Sequence, residues 1–112
     1  MEKQNAAQPR WAVHPAVRPI IELDGPGVII FGYAKHGHYD IIETSNMRQR
    51  IIRIQSRDPD VEVVACLRCD HGEQGRERKR LSYRYRENRN AEGWLAFSPR
   101  ELTEVCRDIE GA

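Results

Sequence analysis

The sequence lacks long apolar runs and contains little cysteine or aromatic residue. No stretch approaches the roughly 18 apolar residues that a membrane-spanning helix needs, and residues 1–10 contain no apolar segment of the signal-peptide type. The three cysteines among 112 residues are sparse and odd in number, which argues against a disulfide-stapled secreted domain. These absences predict a cytoplasmic protein with no membrane partner.

Motifs that carry chemistry are missing as well. The chain has no GxGxxG dinucleotide fingerprint, no GxxxxGK phosphate loop and no serine in a nucleophile elbow. We therefore expect a protein that is not an enzyme, with no catalytic residues and no cofactor.

Length and composition are those of one small domain. A chain of 112 residues with 39% hydrophobic and 31% charged residues can build a single modest core. Residues 1–10 are polar and without periodicity, so we predict a flexible tail there and a single domain over residues 11–112.

The first half of the chain carries strand signals. Two mainly apolar runs, Ile20–Leu23 and Val28–Phe31, flank the turn residues 24–27, which predicts a β-hairpin. A second reversal at residues 35–38 leads into a predicted strand over residues 39–43.

Residues 45–57 support two interpretations. Met47, Ile51 and Ile54 recur at the i, i+4 and i+7 positions of one helical face, and Ser45 suits an N-cap. The β-branched isoleucines of this segment would also suit a strand. We favour the helix.

The second half is predicted to repeat this order. Val61–Ala65 alternates as a strand does, residues 70–79 form a long polar loop, and Leu81, Tyr83 and Tyr85 alternate with polar residues as a further strand. Residues 94–97 form a short strand. Ser98-Pro99-Arg100-Glu101 combines a cap, a proline at the first helical position and a glutamate at N3, which predicts a final helix.

Together these segments predict an α+β fold. The predicted order is βββαβββα, with an antiparallel sheet of about five to six strands and two helices packed against it.

Charge distribution suggests where a partner binds. The 18 cations and 17 anions give a net charge of only +1, but residues 68–89 contain eight cations and four anions. A second cluster consists of the arginines at 48, 50, 53 and 57. The predicted partner-binding residues are Arg76, Arg78, Lys79, Arg80, Arg84, Arg86, Arg48 and Arg53.

Arginine and tyrosine often anchor protein interfaces. We therefore expect a small inhibitor or adaptor that binds an acidic protein surface, and phage or mobile-element accessory proteins that act against a host system are often of this kind. The alternative is a nucleic-acid-binding protein that uses the same surface, because guanidinium groups bind phosphate and tyrosine rings stack on bases. Near-neutral net charge favours the protein partner.

A second alternative is a small zinc-binding domain. Cys66, Cys69 and His71 form a CxxC followed by a histidine, but zinc needs four ligands and no second knuckle is present. Cys66 falls in a predicted strand, where a spacing of three directs the two thiols to opposite faces. His36 and His38 flank Gly37 and are expected to be exposed in a turn.

Overall fold

The computed structural model of the chain describes residues 24–33 and 35–110. The predicted flexible tail, residues 1–10, and the first strand of the predicted hairpin, residues 20–23, lie outside the described residues. The expected pairing across residues 24–27 therefore stays a prediction.

The described part of the chain forms four strands and three α-helices. In chain order these are β1 (Gly27–Tyr33), β2 (His38–Thr44), α1 (Met47–Arg57), β3 (Glu62–Arg68), α2 (Gln74–Arg84), a 3₁₀ turn (Arg86–Asn88), β4 (Leu95–Ala96) and α3 (Pro99–Glu110). The strands form one antiparallel sheet in the order β3-β1-β2-β4. The predicted α+β class is confirmed, but the described sheet has four strands rather than five to six.

A hairpin at the centre of the sheet joins β1 to β2. Ile29 pairs with Ile42 and Ile30 with Ile41, and residues 35–37 reverse the chain. Gly37 takes a φ of +67°, a conformation that glycine adopts without the steric cost of a Cβ. The predicted reversal and the strand that follows it are confirmed.

The segment with two interpretations is a helix. Asn46, not the expected Ser45, is the N-cap of α1, and its side chain accepts a 3.0 Å hydrogen bond from the backbone N–H of Gln49. Met47 and Ile51 are fully buried beneath the helix. Tertiary burial of this apolar stripe therefore outweighs the strand preference of the isoleucines.

The sheet separates two apolar clusters. On one face α1 packs Met47 and Ile51 against Ile29, Val63 and Cys66. The opposite face carries the larger cluster, to which α2 and α3 contribute; its sheet and helix residues include Val28, Ile30, Tyr39, Ile41, Val64, Ala65, Leu81, Val105, Cys106 and Ile109. One helix therefore covers one face and two helices cover the other.

A bulge in β3 changes which of its side chains face each cluster. Ile30 pairs with Ala65 but the next residue, Phe31, pairs with Val63, so Val64 is an extra residue. Val64 and Ala65 consequently both belong to the larger cluster beneath α2 and α3.

The prediction for residues 74–85 is wrong. Residues 70–73 are a loop as expected, but the rest of the expected polar loop and most of the expected strand form one helix, α2, so the described chain has three helices rather than two. Leu81 and Tyr85, four residues apart, both pack on the core, whereas Tyr83 is 67% exposed. The alternation that resembled a strand therefore combines two core residues at helical spacing, Leu81 and Tyr85, with the exposed ring of Tyr83.

The final helix begins as predicted. The Oγ of Ser98 accepts a 3.2 Å hydrogen bond from the N–H of Glu101, and the Glu101 carboxylate accepts one of 2.9 Å from the N–H of Ser98. These hydrogen bonds hold the pKa of Glu101 below its ordinary value. Val105, Cys106 and Ile109 are buried in the larger cluster.

Candidate binding surface

The outer face of α1 is cationic. Arg48, Arg53 and Arg57 are exposed, Arg50 is half-buried, and the helix contains no acidic residue. Within residues 24–33 and 35–110, none of these four guanidinium groups forms an ion pair. They remain available to a carboxylate or phosphate from outside this part of the chain.

An aliphatic side chain lies among these arginines. Ile52 is 49% exposed, and Tyr83 on α2 is the other large, mostly apolar side chain found exposed in the described structure. The helical repeat places Arg48 four residues before Ile52 in one row, and places Arg53 and Arg57 in the neighbouring row. Together these side chains form what we call the α1 surface: the arginines at 48, 50, 53 and 57 with Ile52.

A shallow polar cleft of about 250 Å³ continues the α1 surface at the start of the helix. Arg50 and Arg53 line it together with Gln49 and residues 44–46. An acidic side chain placed on the α1 surface therefore has room beside these two guanidinium groups.

Arg48 opposes the electrostatics of its own helix. It occupies the second helical position, where the unpaired backbone N–H groups already carry partial positive charge and an acidic residue would be stabilising. The first turn of α1 contains no acid. Its charge pattern is therefore not the one that would stabilise the isolated helix.

The arginines of α2 have partners in this same chain. Arg78 bonds to Glu43 on β2 at 2.6 Å, and Arg84 bonds to Asp108 on α3 at 2.8 Å. These contacts join elements that are far apart in sequence. Both cations are thereby directed onto the protein's own carboxylates.

Two further pairs lie within the α2 region. Arg76 bonds to Glu73 at 3.3 Å and Arg80 to Glu77 at 2.7 Å, each at a separation of three residues. Lys79 is exposed, and the described residues give it no ion pair. Lys79 is thus the cation of α2 that is free to meet a partner without breaking an existing bridge.

Arg86 follows α2 and lies against an aromatic ring. Its guanidinium carbon is 3.9 Å from the centroid of the Tyr83 ring, and it also donates a 2.8 Å hydrogen bond to the Tyr83 carbonyl. One face of the exposed ring is therefore covered.

The eight predicted binding residues lie on or next to two helices, whereas the sequence analysis placed most of them on a loop and a strand. Six lie on or just after α2, and Arg48 and Arg53 lie on α1, which covers the other face of the sheet. They therefore form two separate surfaces, one with internally paired guanidinium groups and one without.

The CxxC cysteines do not converge. Cys66 is buried in the cluster beneath α1, whereas Cys69 packs against the cluster on the opposite face, as the strand spacing predicts. Burial, aided by the carboxylates of Glu77 and Asp70, raises the pKa of the Cys69 thiol, which disfavours the thiolate that zinc requires. Within the described residues, no three His, Cys, Asp or Glu side chains are grouped so as to hold a metal ion.

A groove of about 650 Å³ lies between the end of α2 and α3, and no pattern in the sequence indicated it. Tyr85, Phe97 and Val105 line the groove with Arg84 and Asp108. The hydroxyl of Tyr85 donates a 2.8 Å hydrogen bond to Asp108, and burial together with this bond raises the pKa of Tyr85 to about 12. The phenol consequently stays neutral and fixes Asp108 beside Arg84.

No family model, curated protein or solved structure matches this chain. Among its described residues, no helix combines the length and apolar character needed to cross a membrane.

The feature of the α1 surface that sequence reasoning missed is Ile52. The available signal was its position outside the Met47–Ile51–Ile54 stripe, because one residue past Ile51 turns a helical side chain by about 100°.

Proposed function

We propose that the chain is a small non-enzymatic binding module, of the inhibitor or adaptor kind, that binds an acidic protein through the α1 surface. The observation that carries the proposal is the set of four guanidinium groups without an ion pair in the described structure, on the same helix as the half-exposed Ile52. Arginine is a frequent anchor of interfaces, and an aliphatic side chain among arginines adds apolar area that becomes desolvated on contact.

The α1 surface is favoured over α2 because binding through α2 would break ion pairs that already exist within the chain. The arginines at 76, 78, 80 and 84 would exchange an existing carboxylate for a new one, so each gains little. The arginines of α1 have no carboxylate partner among the described residues to give up. The α2 residues of the sequence prediction therefore serve as the comparison in the test.

A protein partner is favoured over a nucleic acid by where the aromatic ring lies. Tyr83 projects from α2, on the opposite side of the sheet from α1, and Arg86 covers one face of its ring. Base stacking and the unpaired arginines are therefore not combined on one surface, as they are in a groove that binds single-stranded nucleic acid. Ile52 in turn would gain little from a phosphate backbone.

The test compares two double charge reversals. Arg48→Glu/Arg53→Glu alters the α1 surface, and Arg76→Glu/Arg80→Glu makes the same charge change on α2. Tagged forms of the native chain and both variants are used to capture proteins from nuclease-treated extract, and the affinity of each captured acidic protein is then measured by calorimetry. We expect the α1 reversal to weaken binding at least tenfold, equivalent to about 1.4 kcal/mol, and the α2 reversal to change it less than threefold.

Circular dichroism of both variants shows that any lost binding does not result from unfolding. Loss of binding only in the α2 variant would move the site to α2. Capture that disappears on nuclease treatment would favour the nucleic-acid alternative.

A further inference from the structure

Four rings meet at the turn end of the β1–β2 hairpin, and one of them, Tyr33, donates a hydrogen bond from its hydroxyl to Asp58, the residue that follows α1. Trp94 stacks on His38 with a centroid separation of 6.2 Å and an angle of 14°, and its edge meets Tyr33 at 6.2 Å. His36 lies 6.4 Å from Tyr33 and 6.1 Å from His38. Two imidazoles are thus held side by side at an open end of the sheet.

The two imidazoles are close to the spacing of a shared metal ion. With Zn–N bonds of about 2.1 Å and a tetrahedral angle, two coordinated imidazoles have ring centroids about 5 Å apart. The observed separation is 6.1 Å. Because His36 is exposed on the turn, rotation of its side chain can remove the difference of about 1 Å without moving a strand.

One imidazole of the pair is already restrained. His38 is the first residue of β2, opposite Tyr33 in the ladder, and its ring packs on Trp94. Restraining a ligand before the ion arrives reduces the conformational entropy lost on binding. The exposed ammonium of Lys35 next to His36 acts in the opposite direction, since it repels a cation.

One copy of the described chain supplies only half of a zinc site. Structural zinc takes four ligands, and no third His, Cys, Asp or Glu joins the two histidines within the residues described. A second copy related by a twofold axis would bring two more imidazoles to the same ion, since an isologous contact uses the same patch twice. Four imidazoles are a suitable donor set for Zn²⁺.

We propose that His36 and His38 form half of a zinc site that a second copy of the chain completes, so that Zn²⁺ drives dimerisation through the hairpin ends. The two histidines are not part of the α1 surface, and zinc-dependent mass can be measured without the proposed partner, so this site is tested separately from the proposed function.

The test titrates Zn²⁺ into chelator-treated protein. Sedimentation or light scattering follows the mass, and tryptophan fluorescence is recorded in a Trp11→Phe background, where Trp94 is the remaining tryptophan. We expect the mass to double at half an equivalent of zinc per chain, with a simultaneous change in Trp94 emission. Excess chelator should reverse both changes.

Matched variants locate the ligands. His36→Ala removes the exposed imidazole, and His38→Phe keeps a ring against Trp94 but removes its nitrogens; each should abolish the zinc-dependent dimer. Cys69→Ser/His71→Ala removes the two less buried donors at the CxxC and its following histidine, leaves the buried Cys66 in place, and should leave the dimer unchanged. A dimer that survives both histidine variants, zinc binding without a change of mass, or no binding at all would each overturn the proposal.

Discussion

The two arginine-rich helices of this protein differ in what surrounds them. Both α1 and α2 have eleven residues and four arginines, and α1 contains no acid while α2 contains only Glu77. Every arginine of α2 nevertheless reaches a carboxylate, and none of α1 does among the residues described. The composition of a helix thus does not determine whether its charges are available to a partner.

The difference comes from packing. On their face of the sheet α2 and α3 lie side by side, so Arg84 meets Asp108, and Arg78 meets Glu43 on the strand below. Among the described elements α1 is the helix whose side chains join the other cluster, so it has no helical neighbour to supply carboxylates there. Availability of the α1 surface is therefore a consequence of the topology.

The largest expected effect tests how α1 is attached. Ile51→Asp places a carboxylate at a position with 0% exposure, where no cation of the described structure lies within the cluster. An unpaired buried charge should reduce the free energy of unfolding by more than about 4 kcal/mol and unfold the domain. Circular dichroism and urea denaturation measure this.

The neighbouring residue provides the control. Ile52→Asp changes the same side chain at a half-exposed position and should leave the fold intact while weakening partner binding. A domain that keeps its cooperative transition with Ile51→Asp would contradict the structural role given to α1.

Sequence patterns predicted the elements in which apolar spacing is dense. Four apolar residues and a reciprocal cap defined α3, and three apolar residues at helical spacing defined α1. In α2 the buried residue is Leu81 alone, so the helix has almost no apolar periodicity from which it could be predicted. The usable signal was the absence of any β-branched residue from 70 to 86, which disfavours a strand.

The candidate site was less predictable than the fold. The bonds of Arg78 to Glu43 and of Arg84 to Asp108 span 35 and 24 residues, so no local rule could foresee them. The arginines at 48 and 53 were visible as a cluster without acids, but their availability follows from the side of the sheet to which α1 binds. Charge content is readable from sequence, whereas charge pairing depends on tertiary contacts.

An intermediate effect is expected where α2 joins α3. Asp108→Asn removes the carboxylate that pairs with Arg84 and accepts from Tyr85, and should reduce stability by about 1 kcal/mol because the site is partly exposed. It should also lower the pKa of Tyr85 from about 12. Burial is the larger cause of that raised pKa, so the fall should be partial.

Ultraviolet titration of the phenols measures the shift, and Tyr85→Phe identifies the transition that belongs to this residue. Because the folded state favours the neutral phenol, its contribution to stability is complete below pH 10 and is lost as the pH rises toward 12. Asp108→Asn also frees Arg84, yet it should not change partner affinity, since α2 faces away from the α1 surface. A gain in affinity would contradict the distinction between the helices.

The smallest effect separates folding from binding within α1. Arg48 lies in the first turn and Arg57 in the last turn, so the helix dipole opposes the first cation and favours the second. Arg48→Glu should therefore raise the free energy of unfolding by about 0.3–1 kcal/mol, and Arg57→Glu should lower it by a similar amount. Urea denaturation at low ionic strength measures both changes.

Partner affinity should fall in both of these variants, because each reverses a charge of the α1 surface. If unfolding caused the loss of affinity, the more stable Arg48→Glu variant would bind more tightly than the native chain. Weaker binding by both variants therefore cannot result from unfolding. If Arg48→Glu retained native affinity, Arg48 would not belong to the interface. If Arg48→Glu lost both stability and affinity, Arg48 would instead stabilise the folded state.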